Sequence, residues 1–90
     1  MRIRWTPAAI TDLRSINDYL TEHYPHYRQP TMLNLHQTIY SLRQFPNRGR
    51  VGLKEGTREI LFSRLPYVAV YRVRGQDVEV LRIYHAAQHR

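Results

Sequence analysis

The feature that most limits what this chain can fold into is a change of apolar rhythm near residue 46. Before it, Ala9, Leu13, Ile16, Leu20 and Tyr24 recur at spacings of four, three, four and four. Met32, Leu35, Ile39 and Leu42 make a second such stripe, which Phe45 continues. Spacing of this kind places apolar side chains on one face of a helix. After residue 57 the rhythm becomes alternation, the period of a strand whose faces differ. Two amphipathic helices and several half-buried strands in 90 residues have an economical solution: both helices on one face of a small sheet.

Local signals set the borders. Arg2–Trp5 alternates, with Ile3 and Trp5 on one face, and predicts a first strand. Thr6-Pro7 reads as a helix entry, with Thr6 as N-cap and Pro7 at the first helical position. Asp12, Asp18 and Glu22 lie off the stripe, toward water. Pro25 is expected to end this helix. The second should begin between Tyr27 and Thr31, because Pro30 fits only in a first turn. The short link implies an antiparallel helical hairpin. Residues 46–57 form a loop, and strands are expected near 58–64, 67–74 and 78–84. Leu65-Pro66 turns the first of these into the second; Gly75-Gln76 suits a type II′ hairpin. The expected fold is α+β, in the order β-α-α-β-β-β, with a mainly antiparallel sheet and one domain over residues 1–90.

The other sheet face is then open to solvent or a partner. In 67–74, Tyr67, Ala69, Tyr71 and Val73 share one face; Val68, Val70, Arg72 and Arg74 share the other. Arginine suits the open face. In the last strand, Val80, Arg82 and Tyr84 are expected to look outward, with Leu81 and Ile83 inward.

Charge sharpens this. Lys plus Arg number 14 against 7 acids, and only Lys54 is lysine. Residues 43–90 hold ten of the basic groups and four acids. Guanidinium forks bind phosphate and carboxylate bidentately, so a polyanionic or acidic partner is expected. The competing role for Arg72 and Arg82 is cross-strand pairing with Glu79, Asp77 or Glu59. Arg48, Arg50 and Lys54 make a basic loop. There is no cysteine, hence no disulfide or thiolate metal site, and no apolar run long enough for a membrane span. No metal or other cofactor is expected, and the cytoplasm is the expected compartment. His85 could act as an acid or base near neutral pH; a hydrogen-bonding role at a strand end is the simpler reading. His85 and His89 lack a third ligand for zinc.

Five segments in order carry a family resemblance: W-T-P-A-A-x-x-D-L-x-x-I-x-x-Y-L at 5–20, F-P-N-x-G-R at 45–50, G-T-R-E-I at 56–60, P-Y-V-A-V-Y-R-V at 66–73 and V-L-R-I-Y-H-A-A-Q-H-R at 80–90. Together they resemble the ParE/RelE superfamily of toxins from bacterial type II toxin–antitoxin modules. The resemblance implies a growth inhibitor neutralised by a cognate antitoxin, whose flexible segment wraps the toxin and folds on binding. Operator DNA would be bound only through the antitoxin. RelE-like members cleave mRNA on the ribosome, and ParE-like members poison DNA gyrase. Val68 stands where RelE-like nucleases carry an arginine, and no lysine lies between Arg58 and Arg64, so the ParE-like branch is expected. On that reading Arg72, Arg82, Arg58, His85 and Arg90 contact the target, while Trp5, Leu20, Tyr24, Arg72 and Arg74 contact the antitoxin. The alternatives are a ribonuclease using Arg58, Arg82 and His85, and an inactive member that only binds antitoxin.

Overall fold

The hinge of the architecture is Thr6. In the computed structural model, which describes residues 1–88, the strand β1 (Arg2–Trp5) ends there and the helix α1 (Pro7–His23) begins. Thr6 is extended, and its Oγ1 accepts from the Ala9 amide at 3.1 Å, the expected N-cap. Such a cap is worth about 1 kcal/mol. The same hydroxyl donates to the Leu81 carbonyl at 2.9 Å, so the cap also ties the helix to the last strand.

Helix α2 (Pro25–Ser41) follows with only Tyr24 between, and the four remaining strands are β2 (Arg50–Val51), β3 (Arg58–Leu61), β4 (Tyr67–Arg74) and β5 (Asp77–His85). They form one sheet in the order β1-β5-β4-β3-β2. The β1–β5 pair is parallel and the others are antiparallel. The expected strand, two helices and antiparallel strands are all present, with β2 added inside the loop. Gly75 sits at φ +59 in the β4–β5 turn, while Gln76 does not take positive φ, as a type II′ turn requires. The core lies between the helical hairpin and the sheet: Ala9, Leu35, Ile39 and Leu42 meet Ile60, Ala69, Tyr71 and Val78.

Four expectations change. First, α2 starts at Pro25, which places Pro30 sixth in the helix. Pro30 has no N–H, so the His26 carbonyl lacks its helical partner. This is tolerated because every residue from 21 to 30 is exposed and water can serve that carbonyl. Second, β3 stops at Leu61, and the chain turns through Arg64 at φ +62 before β4.

Third, β5 contains a bulge. Val70 opposes Arg82 but Tyr71 opposes Val80, which leaves Leu81 as an extra residue. The bulge resets the alternation: Val80 and Ile83 both face the core, while Arg82 and Tyr84 remain on the opposite face with Val70 and with Val68, which was expected to be open there and is only 1% exposed. Val80 was expected outward and is fully buried. Fourth, Phe45 and Tyr24 do not complete their stripes; they are 61% and 51% exposed. Tyr24 is the cap residue between the two helices, and Phe45 lies four residues past the end of α2.

Candidate functional site

The open sheet face answers what the arginines are held for. Arg72 Nε lies 2.6 Å from Glu79 Oε1 across the β4–β5 pair, the cross-strand partner the alternation allowed. Arg50 donates twice to Glu59 Oε1, from Nε at 3.1 Å and Nη2 at 2.9 Å. Glu59 is 4% exposed, so this pair closes the β2–β3 edge over a buried carboxylate. Arg2 and Arg4 share Asp77, at 3.0 and 3.6 Å. Arg74 stands opposite Asp77 in register and is exposed, with no ion pair among the described residues.

Arg82 is held differently. Its Nε and Nη2 grip both oxygens of Asp12 at 2.7 and 3.0 Å, and Asp12 Oδ2 also accepts from the Ile83 amide at 2.9 Å. This fork raises the guanidinium pKa still further above its ordinary value, chiefly through the hydrogen bond to Asp12. Asp12 was expected to face water. Its side chain is instead 15% exposed, and it occupies the strip of β5 just beyond the end of β1. There α1 replaces β1 as the edge partner of β5, with Thr6 on the Leu81 carbonyl and Asp12 on the Ile83 amide. No local sequence signal separates Asp12 from Asp18, because the bulge that creates its seat lies some 70 residues away.

Arg58 has no part in this face. It shares the helix-side face with Ile60, opposite Tyr71, and its Nη1 donates to the Gly49 carbonyl at 2.7 Å. Beside it the buried Tyr71 hydroxyl donates to Pro46 O at 2.7 Å and accepts from the Gly49 amide at 2.9 Å. Arg58 and Tyr71 together clamp the 46–50 loop. Burial is the main cause of a raised Tyr71 pKa. Gly52, which had no reading in the sequence, is needed for close approach: a Cβ there would collide with Thr57 Oγ1.

His85 pairs with Tyr67, their rings edge to face at 5.9 Å, and its Nδ1 accepts from the Ala87 amide at 3.2 Å. Tyr84 opposes Val68 on the other face. The three ribonuclease candidates therefore do not converge. Arg82 is on the open face, while Arg58 and His85 are on the helix face at β4 positions four residues apart. At strand rise that is about 13 Å. Arg90 lies outside the described residues.

The antitoxin candidates fall in three places. Leu20 and Tyr24 line a groove of about 780 Å³ at the hairpin tip, with Tyr19, Tyr27, Tyr67 and His85. Burial, and then Tyr19, raise the Tyr67 pKa. Trp5 lines a cleft between β1 and α2, and Arg72 and Arg74 sit on the open face. Among the described residues no group of three His, Cys, Asp or Glu side chains is placed to hold a metal, and no helix is long and apolar enough to cross a membrane.

With this geometry in place, comparison with known proteins is decisive. The family described as "ParE toxin of type II toxin-antitoxin system, parDE" matches residues 3–90. The chain belongs to the ParE toxin family. It is 37% identical to Toxin RelE2 of Caulobacter vibrioides over 97% of both chains. A structure titled "Chromosomal ParDE TA system from P. aeruginosa" contains a chain that superposes with a TM-score of 0.84 at 30% identity, covering 94% of this chain and 95% of that one. The intact E. coli RelBE toxin–antitoxin complex includes a chain at TM-score 0.63 and 14% identity, covering 91% and 92%. At that identity it attests the shared fold of this ParE-family toxin and nothing finer.

Proposed function

We propose that this ParE-family chain is the growth-inhibiting half of a toxin–antitoxin pair, that a cognate antitoxin wraps and silences it, and that the free toxin acts on DNA gyrase in the cytoplasm. One observation carries the choice of gyrase over RNA. Ribonuclease chemistry needs an acid, a base and cations around one phosphate, and Arg58, Arg82 and His85 stand on two faces and at separate positions along β4. A docking role asks for no such convergence. The family match and the likeness to a chain of a ParDE system support the same side. The antitoxin reading is supported by the same family match and by the likeness to a chain of a ParDE system.

The second reading, a ribosome-dependent mRNA endonuclease, is favoured by one thing: the name of the Caulobacter relative, Toxin RelE2. The test is direct. Purified toxin is added to gyrase, ATP and relaxed plasmid. Loss of supercoiling or accumulation of linear DNA is the expected result. Full supercoiling at micromolar folded toxin sinks the gyrase reading, and cleavage of mRNA on translating ribosomes then becomes the assay.

A further inference from the structure

The cleft between β1 and α2 gathers aromatic rings, outward main-chain groups and cations in one place. It holds about 630 Å³, within the range of about 300–1,000 Å³ usual for small-ligand sites. Trp5 and His36 line it as a tilted aromatic pair, with ring centroids 6.1 Å apart. Tyr40 adds a third ring, and Ile3 and Ile39 add apolar wall. The main-chain groups come from β1, which is outermost in the strand order and pairs only with β5. The Arg2 amide donates to Gln76 O and the Thr6 amide to Val80 O, both at 3.1 Å, so these residues turn toward β5. Main-chain groups alternate sides along a strand, so the N–H and C=O of Ile3 and Trp5 point away from it.

The cations are Arg2 and Arg43, and no carboxylate lines the cleft among the described residues. Arg2 shares the single carboxylate of Asp77 with Arg4, which leaves a positive excess at that end. Arg43 is stacked 3.4 Å over the Tyr40 ring, which holds its guanidinium beside the cleft. Guanidinium forks suit phosphate. A donor and an acceptor side by side on a strand edge suit the hydrogen-bonding edge of a nucleobase, and aromatic rings suit its face. A purely apolar ligand would leave the cations and the strand edge unmatched. A simple anion would leave the rings unused. A flat heteroaromatic base joined to phosphate matches all three, and a purine covers more of an indole than a pyrimidine does.

We propose that this cleft binds a free purine nucleotide, with the base against Trp5 and the Ile3 main chain and the phosphates toward Arg2 and Arg43. Trp5 is the only tryptophan in the chain, so its emission reports the cleft directly. The probe is ADP, with the indole excited at its red edge, where the nucleotide does not absorb. Saturable quenching is expected, half-complete below about 1 mM. Raising salt from about 50 to about 300 mM should weaken it about threefold or more, as the Debye length falls from about 14 to about 6 Å. Adenosine, which lacks phosphate, should bind about tenfold more weakly, CDP about threefold more weakly, and pyrophosphate should not quench. The amide resonances of Ile3 and Trp5 should shift with ADP. Arg43 is exposed, so Arg43→Gln should fold; it should lose about tenfold for ADP and nothing for adenosine. If that variant does not fold, the ratio of ADP to adenosine affinity in the unaltered protein decides. No quenching up to about 10 mM ADP overturns the proposal, as do amide shifts confined to other residues or equal affinity for ADP and CDP. An oligodeoxyadenylate that binds about tenfold or more tighter than ADP assigns the cleft to a nucleic-acid strand and also overturns it. The titration needs neither gyrase nor an antitoxin, so this proposal and the toxin reading can fail separately.

Discussion

Removing the carboxylate of Asp12 should cost this fold more than removing the arginine it holds. Asp12 accepts three hydrogen bonds, two from Arg82 and one from the Ile83 amide. The Arg82 side chain is 44% exposed, so the ion pair is discounted for solvent screening to about 1 kcal/mol. The amide bond is charge-assisted and lies at a seat that is only 15% exposed, and losing it while Ile83 stays buried costs about 1.5–3 kcal/mol. Asp12→Ala should therefore destabilise by about 2–4 kcal/mol, and Arg82→Ala by about 1 kcal/mol. A domain of this size is stable by roughly 5–13 kcal/mol, so the first change is a large fraction and the second is not. In urea, at about 1–1.5 kcal/mol per molar, the Asp12→Ala midpoint should fall by roughly 2–3 M, read from Trp5 emission or far-UV dichroism. Asp12→Asn keeps an acceptor for the Ile83 amide and should fall between. Equal losses in Asp12→Ala and Arg82→Ala, both near 1 kcal/mol, would refute the claim that Asp12 serves as a strand-edge acceptor rather than as one half of a salt bridge.

The loop clamp gives a second expectation. Tyr71→Phe strands the Gly49 amide and the Pro46 carbonyl and should cost about 2–4 kcal/mol in the same urea assay. Gly49→Ala should be worse, because its Cβ would sit 2.7 Å from both the Glu59 carbonyl and the Tyr71 hydroxyl; wild-type stability in either variant speaks against the clamp. A third concerns alkali. Burial raises the Tyr67 and Tyr71 pKa values above 10.0, so the folded state keeps protons that the unfolded chain releases. Their contribution is fully present below about pH 10 and is lost as pH rises through the higher folded values. The urea midpoint should drop from pH 9 to 11, and Tyr71→Phe should make that drop shallower; a flat profile in the unaltered protein would contradict it.

Much of this was legible in the sequence because it is local. Thr6-Pro7 names the start of α1, Gly75-Gln76 names the hairpin, and the alternation in 67–74 places Tyr71 inward and Arg72 outward. What escaped depends on tertiary context. The bulge at Leu81 has no glycine to announce it and lies where Thr6, from the other end of the chain, takes the Leu81 carbonyl. It returned Val80 to the core against a strict alternation, and it made a seat for Asp12 that helical periodicity assigned to water. Pro30 misled for a related reason: a proline inside a helix is costly where the freed carbonyl is dry, and here it lies in a stretch whose residues are all exposed. For the candidate site, residue type marked the arginines correctly as outward-facing on the sheet, but charge composition alone could not tell a free cation from a paired one. Arg72, Arg82 and Arg50 each proved to have a carboxylate.

The hairpin tip has a consequence for how such a protein can change. Residues 21–30 are all exposed, their one proline-interrupted turn stands outside the core, and the tyrosines there border the groove at the end of the sheet. On the proposed antitoxin reading, mutations in this stretch would alter one part of the recognition surface while leaving untouched the core between the hairpin and the sheet. Partner preference at the tip and fold stability would then be encoded in separate parts of the molecule. A duplicated copy of this gene could then shift that preference by changes at the tip, passing through intermediates that still fold.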